Sequence, residues 1–172
     1  KITERLAKKS ASYGCKQFFY LSTVHVYMAH LSGCLSESSI ASNTHPYAAS
    51  HLLGEQALLN VARDSQMNGH VLRLTNCFGY PATHSSDCWG LVLNEFIRDA
   101  ATNGVIKIQG YHKSRRDFLP ISELNKILVQ ILSTTSQIPT LINISTGHSR
   151  TLGEVALEVS NAVTEFTGNS IQ

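Results

Sequence analysis

Four groups of side chains in this sequence could do chemistry. The hydroxyl pair Ser22-Thr23 closes a short apolar run. Tyr47 and His51 stand four residues apart. Asn76 and Cys77 follow a second apolar run that ends in Leu74. Arg115, Arg116 and Asp117 form a charged trio further on. A threonine hydroxyl can orient a reacting oxygen. A phenol titrates near 10 and would have to fall by roughly 3 pH units to act as a base at neutral pH. A guanidinium keeps its charge and grips phosphate oxygens two at a time. Each residue also has a plain structural reading. Thr23 can cap nearby backbone, and Tyr47 can pack on a sheet from a helix start. His51 can be an ordinary helix histidine, and Asn76 suits a turn. Arg116 can pair with Asp117 at the surface, or join Lys113 and Arg115 in a solvated basic loop.

Metal chemistry is not indicated. The eight histidines contain no HExxH, and the four cysteines (Cys15, Cys34, Cys77, Cys88) form no CxxC pair. So few cysteines in 172 residues read as reduced thiols, which suits a cytoplasmic protein. Charged residues make up only 15% and the net charge is +2, so no nucleic-acid partner is expected. An apolar fraction of 42% excludes disorder as the default. One long stretch free of Asp, Glu, Lys and Arg, residues 17–36, carries His25, His30 and several hydroxyls. No membrane span is expected from it. Lys1 to Lys9 reads as a charged amphipathic helix rather than a secretory signal.

These side chains need elements to hold them. The pattern predicts a helix over Ile2–Tyr13 stopped by Gly14, then a strand over 17–22. A polar loop follows from about His30 to Pro46. Tyr47–Gln66 is expected as a helix with an apolar stripe of Leu52, Leu53, Ala57, Leu58 and Val61, ended by Gly69. A strand over 70–75 and a loop over 76–86 come next. Further expectations are a helix over 91–101, a short strand at 105–109 and a second short extended piece at 117–120. Ser122 is expected to cap a helix running to Ser133. After a strand at 141–144, Thr151 and Glu154 form a capping box for a helix to about Phe166. The sheet strands are continuous apolar runs, as in parallel strands covered on both faces. Alternating strands and helices predict an α/β layered fold. Functional residues then belong just past the C-terminal ends of the strands.

Taken in order, these segments resemble extended short-chain dehydrogenase/reductases of the nucleotide-sugar epimerase/dehydratase type. FFYLSTVHVY is similar to the family's strand ending in S-[ST]-x-x-V-Y. HPYAASHLLGEQAL resembles its P-Y-x-x-S-K-x-x-x-E helix, and VLRLTNCFGYP its L-R-x-x-N-x-[YF]-G-P. The segment ending SRRDFLPISEL resembles its R-D-[FY]-[VIL]-H-V-x-D-[LV] stretch, and LINISTGHSRTLGEV its late Y-N-I-G-x-G element. The resemblance implies part of a Rossmann-type doubly wound parallel sheet with a small C-terminal substrate-binding region. Residues 1–76 would hold the dinucleotide-binding sheet and active-site helix. Residues 77–172 would form mainly the substrate region, with 141–144 returning to the sheet.

The resemblance also implies roles. Tyr47 would be the acid/base, Thr23 would orient the reacting oxygen, and His51 stands where the family has its lysine. Ser22, Tyr47, His51, Leu74 and Cys77 would line NAD or NADP, and Asn76 and Arg116 would meet a nucleotide-sugar substrate. A homodimer is the assembly it allows. Two departures bear on this. No G-x-x-G-x-x-G or G-x-G-x-x-G occurs among the eleven glycines. A histidine replaces a lysine whose fixed charge would help ionise the phenol, and a histidine is mostly neutral at pH 7. The expected function is an NAD(P)-dependent epimerase, dehydratase or reductase acting on a nucleotide sugar, as a fragment or an impaired form. The other reading is a catalytically inactive homologue that binds or scaffolds.

Overall fold

The computed structural model describes residues 2–28, 33–83 and 85–172. Lys1 and the first residues of the predicted loop, 30–32, lie outside the described residues. The elements in chain order are α1 (Ile2–Ser12), β1 (Gln17–Thr23), a short 3-10 turn (Val24–Val26), α2 (Pro46–Arg63), β2 (Asn68–Leu74) and β3 (Asn76–Phe78). They continue with α3 (Val92–Asn103), β4 (Arg115–Pro120), α4 (Ile121–Ser133), β5 (Leu141–Ile144), β6 (Ser149–Thr151) and α5 (Leu152–Thr167). The chain divides into two units. One comprises residues 1–75 with 126–145, the other 76–125 with 146–172.

The first unit is built on a parallel sheet in the order β1-β2-β5. Register places Thr23 beside Leu74 and Leu74 beside Ile144, so the three strands end at one level. Pro46 opens α2 where its missing N–H costs nothing, and the ring Nδ1 of His45 accepts from the Tyr47 amide at 3.3 Å. The helix ends at Arg63, three residues before the predicted Gln66. Gly69 does not stop it, because Gly69 lies inside β2. Its role is close approach: a Cβ there would stand 3.0 Å from the Cβ of Ala62 and 3.2 Å from Leu58. Ala7, Leu58, Val61 and Met67 form the core beneath α1 and α2, with Phe18 and Tyr20 of β1 packed against it. Fully burying a leucine such as Leu58 stabilises the fold by about 1.5–3 kcal/mol.

The second unit carries a small mixed sheet, β3-β4-β6, with β3 parallel and β6 antiparallel to β4. The segment predicted as loop from 76 therefore begins as a strand, with Asn76 to Phe78 paired to Phe118 to Pro120. The stretch 105–109, predicted as a strand, joins no ladder. It is held instead by the last residue: the Ile106 amide donates to the Gln172 carbonyl at 2.7 Å, and the Gln172 amide to Gly104 at 2.9 Å. Ile106 and Ile108 pack on a core of Leu93, Phe96 and Ala100 from α3 with Val155, Ala156 and Val159 from α5. The extended piece expected at 117 starts earlier, at Arg115, and β6 was not anticipated. Since α4 begins directly after β4, Ser122 sits within its first turn and is not its cap. The capping box of α5 forms as the spacing predicts: Thr151 Oγ1 accepts from the Glu154 amide, and the Glu154 carboxylate from the Thr151 amide.

Candidate active site

At the end of β1, Thr23 is buried and extended (φ −137°, ψ 145°), and it caps the 3-10 turn. Its Oγ1 accepts from the His25 amide at 3.2 Å. The local capping reading thus holds, and it leaves the hydroxyl proton of Thr23 to donate elsewhere. Tyr47 lies in the first turn of α2 and is 51% exposed. His51 follows one turn later, with its ring edge-on to Tyr47 at 4.7 Å between centroids. The ring of His25 also approaches Tyr47, at 6.5 Å between centroids. One phenol therefore meets two imidazoles at the open end of the first unit's sheet.

Below this aromatic group lies a buried polar cluster. Ser22 donates its hydroxyl to Oε1 of Glu55. Arg73 of β2 donates from Nε to Glu55 Oε1 at 3.0 Å and from Nη2 to Oε2 at 2.6 Å. The guanidinium also sits 4.6 Å above the Tyr27 ring, and the Tyr27 hydroxyl donates to Asn143 Oδ1 at 2.7 Å. The hydroxyl of Ser22 is thereby committed to Glu55. Burial works against the Arg73 charge, but hydrogen bonds to Glu55 and Tyr27 outweigh it and raise its pKa above the ordinary value. Sequence reading gave Glu55 and Tyr27 no role. One signal was present: an arginine inside the apolar run His70 to Leu74 must find a buried partner or leave the strand.

The remaining predicted residues fall as follows. Leu74 is the last residue of β2, in the first unit. Asn76, Cys77 and Arg116 belong to the second unit. Asn76 uses its Nδ2 to donate to the Asp117 carbonyl at 3.1 Å, which ties β3 to β4. Burial, with a smaller push from Asp117, raises the Cys77 thiol and keeps it protonated. Asp117 turns its carboxylate to the Thr146 amide at 3.0 Å, the Thr146 hydroxyl at 2.7 Å and the His148 amide at 3.1 Å. Arg116 is half-buried and lies beside Arg150 across the β4–β6 ladder. Like charges in such pairs repel, and Glu158 neutralises Arg150 through a close ion pair. Among the described residues no helix is long and apolar enough to cross a membrane, and no group of three or more His, Cys, Asp or Glu could hold a metal.

A parallel α/β sheet, with a half-exposed tyrosine on the helix that follows its first strand, defines a Rossmann-like protein. The sequence model of the NAD dependent epimerase/dehydratase family matches residues 1–145, and the chain belongs to that family. No curated protein matches the sequence significantly. Among solved structures, it is similar to a UDP-glucuronic acid 4-epimerase from Bacillus cereus in complex with NAD, at 22% identity and TM-score 0.83. That match covers 99% of this chain and 53% of the other. It is similar also to a UDP-N-acetylglucosamine 4-epimerase from Methanobrevibacter ruminantium M1 in complex with UDP-N-acetylmuramic acid. There the identity is 25%, the TM-score 0.79, and the coverage 98% and 53%. A third is TunA, an NAD-dependent NDP-hexosamine 5,6-dehydratase, at 21% identity and TM-score 0.80, covering 94% and 52%. The chain spans about half the length of the solved structures it matches.

Proposed function

We propose that this chain forms the proton-handling half of an NAD(P)-dependent nucleotide-sugar epimerase or dehydratase, with the cofactor diphosphate held by residues outside it. The observation that carries the reading is Tyr47, half-exposed in the first turn of α2 with His51 one turn behind it. Bound nicotinamide would supply the hydride acceptor and donor. Tyr47 and His51 offer polar atoms to its ribose end, and the exposed phenol fits that task. No glycine-rich turn in this sequence suits the diphosphate. Tyr47 takes or returns the proton of a sugar hydroxyl, and Thr23 donates to the same oxygen. Arg116 holds the substrate's diphosphate, and Asn76 lines the sugar. The Bacillus cereus epimerase is also solved in complex with UDP-glucuronic acid and NAD, and the Methanobrevibacter ruminantium epimerase with UDP-N-acetylmuramic acid, which supports a UDP-sugar as the substrate class. A cytoplasmic homodimer completes the reading.

A second reading is a catalytically weak or inactive homologue, and His51 favours it. The family lysine would bring a permanent charge beside the phenol, whereas His51 brings a ring with one nitrogen enclosed. The test compares turnover of UDP-sugars with NAD and NADP in a protein that joins this chain to a glycine-loop half. Wild type, Tyr47→Phe and His51→Lys are the arms. Activity that falls in Tyr47→Phe and rises in His51→Lys supports the first reading. Cofactor binding without turnover in all three folded proteins supports the second.

A further inference from the structure

One nitrogen of His51 has nothing to bond to. Its Nδ1 is buried with no hydrogen-bond partner, although the residue as a whole is only half-buried. The ring adjoins two phenols, Tyr47 at 4.7 Å and Tyr20 of β1 at 6.1 Å. Tyr20 reaches this place because Gly54 has no side chain. A Cβ there would stand 2.2 Å from the Tyr20 hydroxyl oxygen and 2.6 Å from its Cζ. Burial, reinforced by the charge of Glu55, holds the Tyr20 phenol above its ordinary range, so it remains an uncharged hydroxyl. Glu55 follows His51 by one helical turn, but its carboxylate is taken by Arg73 and Ser22. The phenol of Tyr47 adjoins the ring, and His25 lies beyond it.

No acceptor therefore meets a proton on Nδ1. The ring must carry at least one proton, and a buried N–H without an acceptor is costly. Nε2 is not enclosed in this way, so a proton there can be satisfied by water or a ligand. We propose that His51 acts as a hydrogen-bond donor of fixed direction through Nε2–H, and that Tyr20 is the positioning residue that enforces this by sealing Nδ1. The functional meaning rests on Tyr47 and His51 being the proton-handling pair. A single N–H suits a sugar or ribose hydroxyl oxygen, where a lysine would bring three donors and a charge.

The test is magic-angle-spinning NMR of the whole chain with histidine-selective 15N labelling. It is run near pH 8, above the ordinary histidine range of about 6.5. The His51 signals are identified by their loss in His51→Gln. The expected result is a protonated Nε2 and an Nδ1 whose lone pair accepts no hydrogen bond, resolved downfield of the water-exposed histidines. Tyr20→Phe keeps the seal and should leave both signals in place. Tyr20→Ala should admit water and move Nδ1 toward the exposed histidines. Gly54→Ala, which displaces the Tyr20 ring, serves if Tyr20→Ala does not fold. A proton on Nδ1 in wild type, or an Nδ1 signal matching exposed histidines, overturns the proposal. An Nδ1 unmoved by opening the Tyr20 side overturns the role of Tyr20. Turnover is not read, so an inactive protein would sink the enzyme reading without touching this one.

Discussion

Glu55 of α2 and Arg73 of β2 form a two-pronged ion pair with side chains only 4% and 7% exposed. Such a pair gives little net stability over an apolar one, because both charges must leave water. Its value is geometric. It ties the helix that carries Tyr47 and His51 to the strand beside β1, and Ser22 of β1 bonds the same carboxylate.

Removing one partner strands the other charge. Glu55→Leu or Arg73→Leu should each lower unfolding stability by about 3–5 kcal/mol, while the double replacement should recover most of that loss. Urea unfolding of the three variants measures it. Single variants as stable as wild type would mean that water reaches the pair.

Gly54→Ala should destabilise the chain. A glycine inside a helix normally gains about 1 kcal/mol on replacement by alanine. Here the added methyl meets the Tyr20 phenol at 2.2 Å, and such overpacking costs about 1–3 kcal/mol. Thermal or urea unfolding reads the sign. A stabilised variant would show that Tyr20 moves aside freely.

Two carboxylates should shape the acid limb. Hydrogen bonds from the Asn143 amide, and from its own amide, hold Glu37 below the ordinary value of 4.5. The Thr151 amide and hydroxyl do the same for Glu154. A depressed pKa contributes stability above the unfolded value. That contribution fades as the pH falls from about 4.5 through the lower folded value. Glu37→Gln and Glu154→Gln should each flatten the loss of stability below that pH. Unfolding midpoints at several acid pH values test this, and unchanged slopes would count against both contacts.

Arg116→Ala should weaken UDP binding by a protein that holds this chain and its cofactor half. A charge-assisted contact is worth about 1.5–3 kcal/mol, which is about 10- to 150-fold in affinity. Titration calorimetry with UDP measures it. Equal affinities would leave Arg116 a cation of the β4 surface.

The 172 residues alone should self-associate. β1 is the outer strand of its sheet, paired only with β2 among the described residues, and Leu21 is 45% exposed. An uncovered apolar edge strand invites pairing with another chain. Light scattering that finds a stable monomer with cooperative unfolding would refute this.

Much of the architecture was legible because its signals are local. The capping box of Thr151 and Glu154 and the Pro46 helix start each act within one turn. Continuous apolar runs announced the parallel strands of the first sheet. The ordered motifs announced the family and, with it, Thr23, Tyr47 and His51 as candidates. Decisions between distant residues were not legible. A strand as short as Asn76–Phe78 exists only because β4 pairs with it, and 105–109 is held by backbone bonds to Gln172 and by packing on the α3–α5 core. Gly69 looks like a helix stop in sequence and is a packing contact in space. The sequence by itself determined which side chains with useful chemistry lie near strand ends and helix starts, because backbone propensity and hydrophobic period are short-range. Only the tertiary structure decided that Glu55 belongs to Arg73 and Ser22, and that Tyr20 packs beside His51. Those pairings depend on which faces meet when α2 packs on β1 and β2, and burial then removes the water that would otherwise have satisfied each group alone.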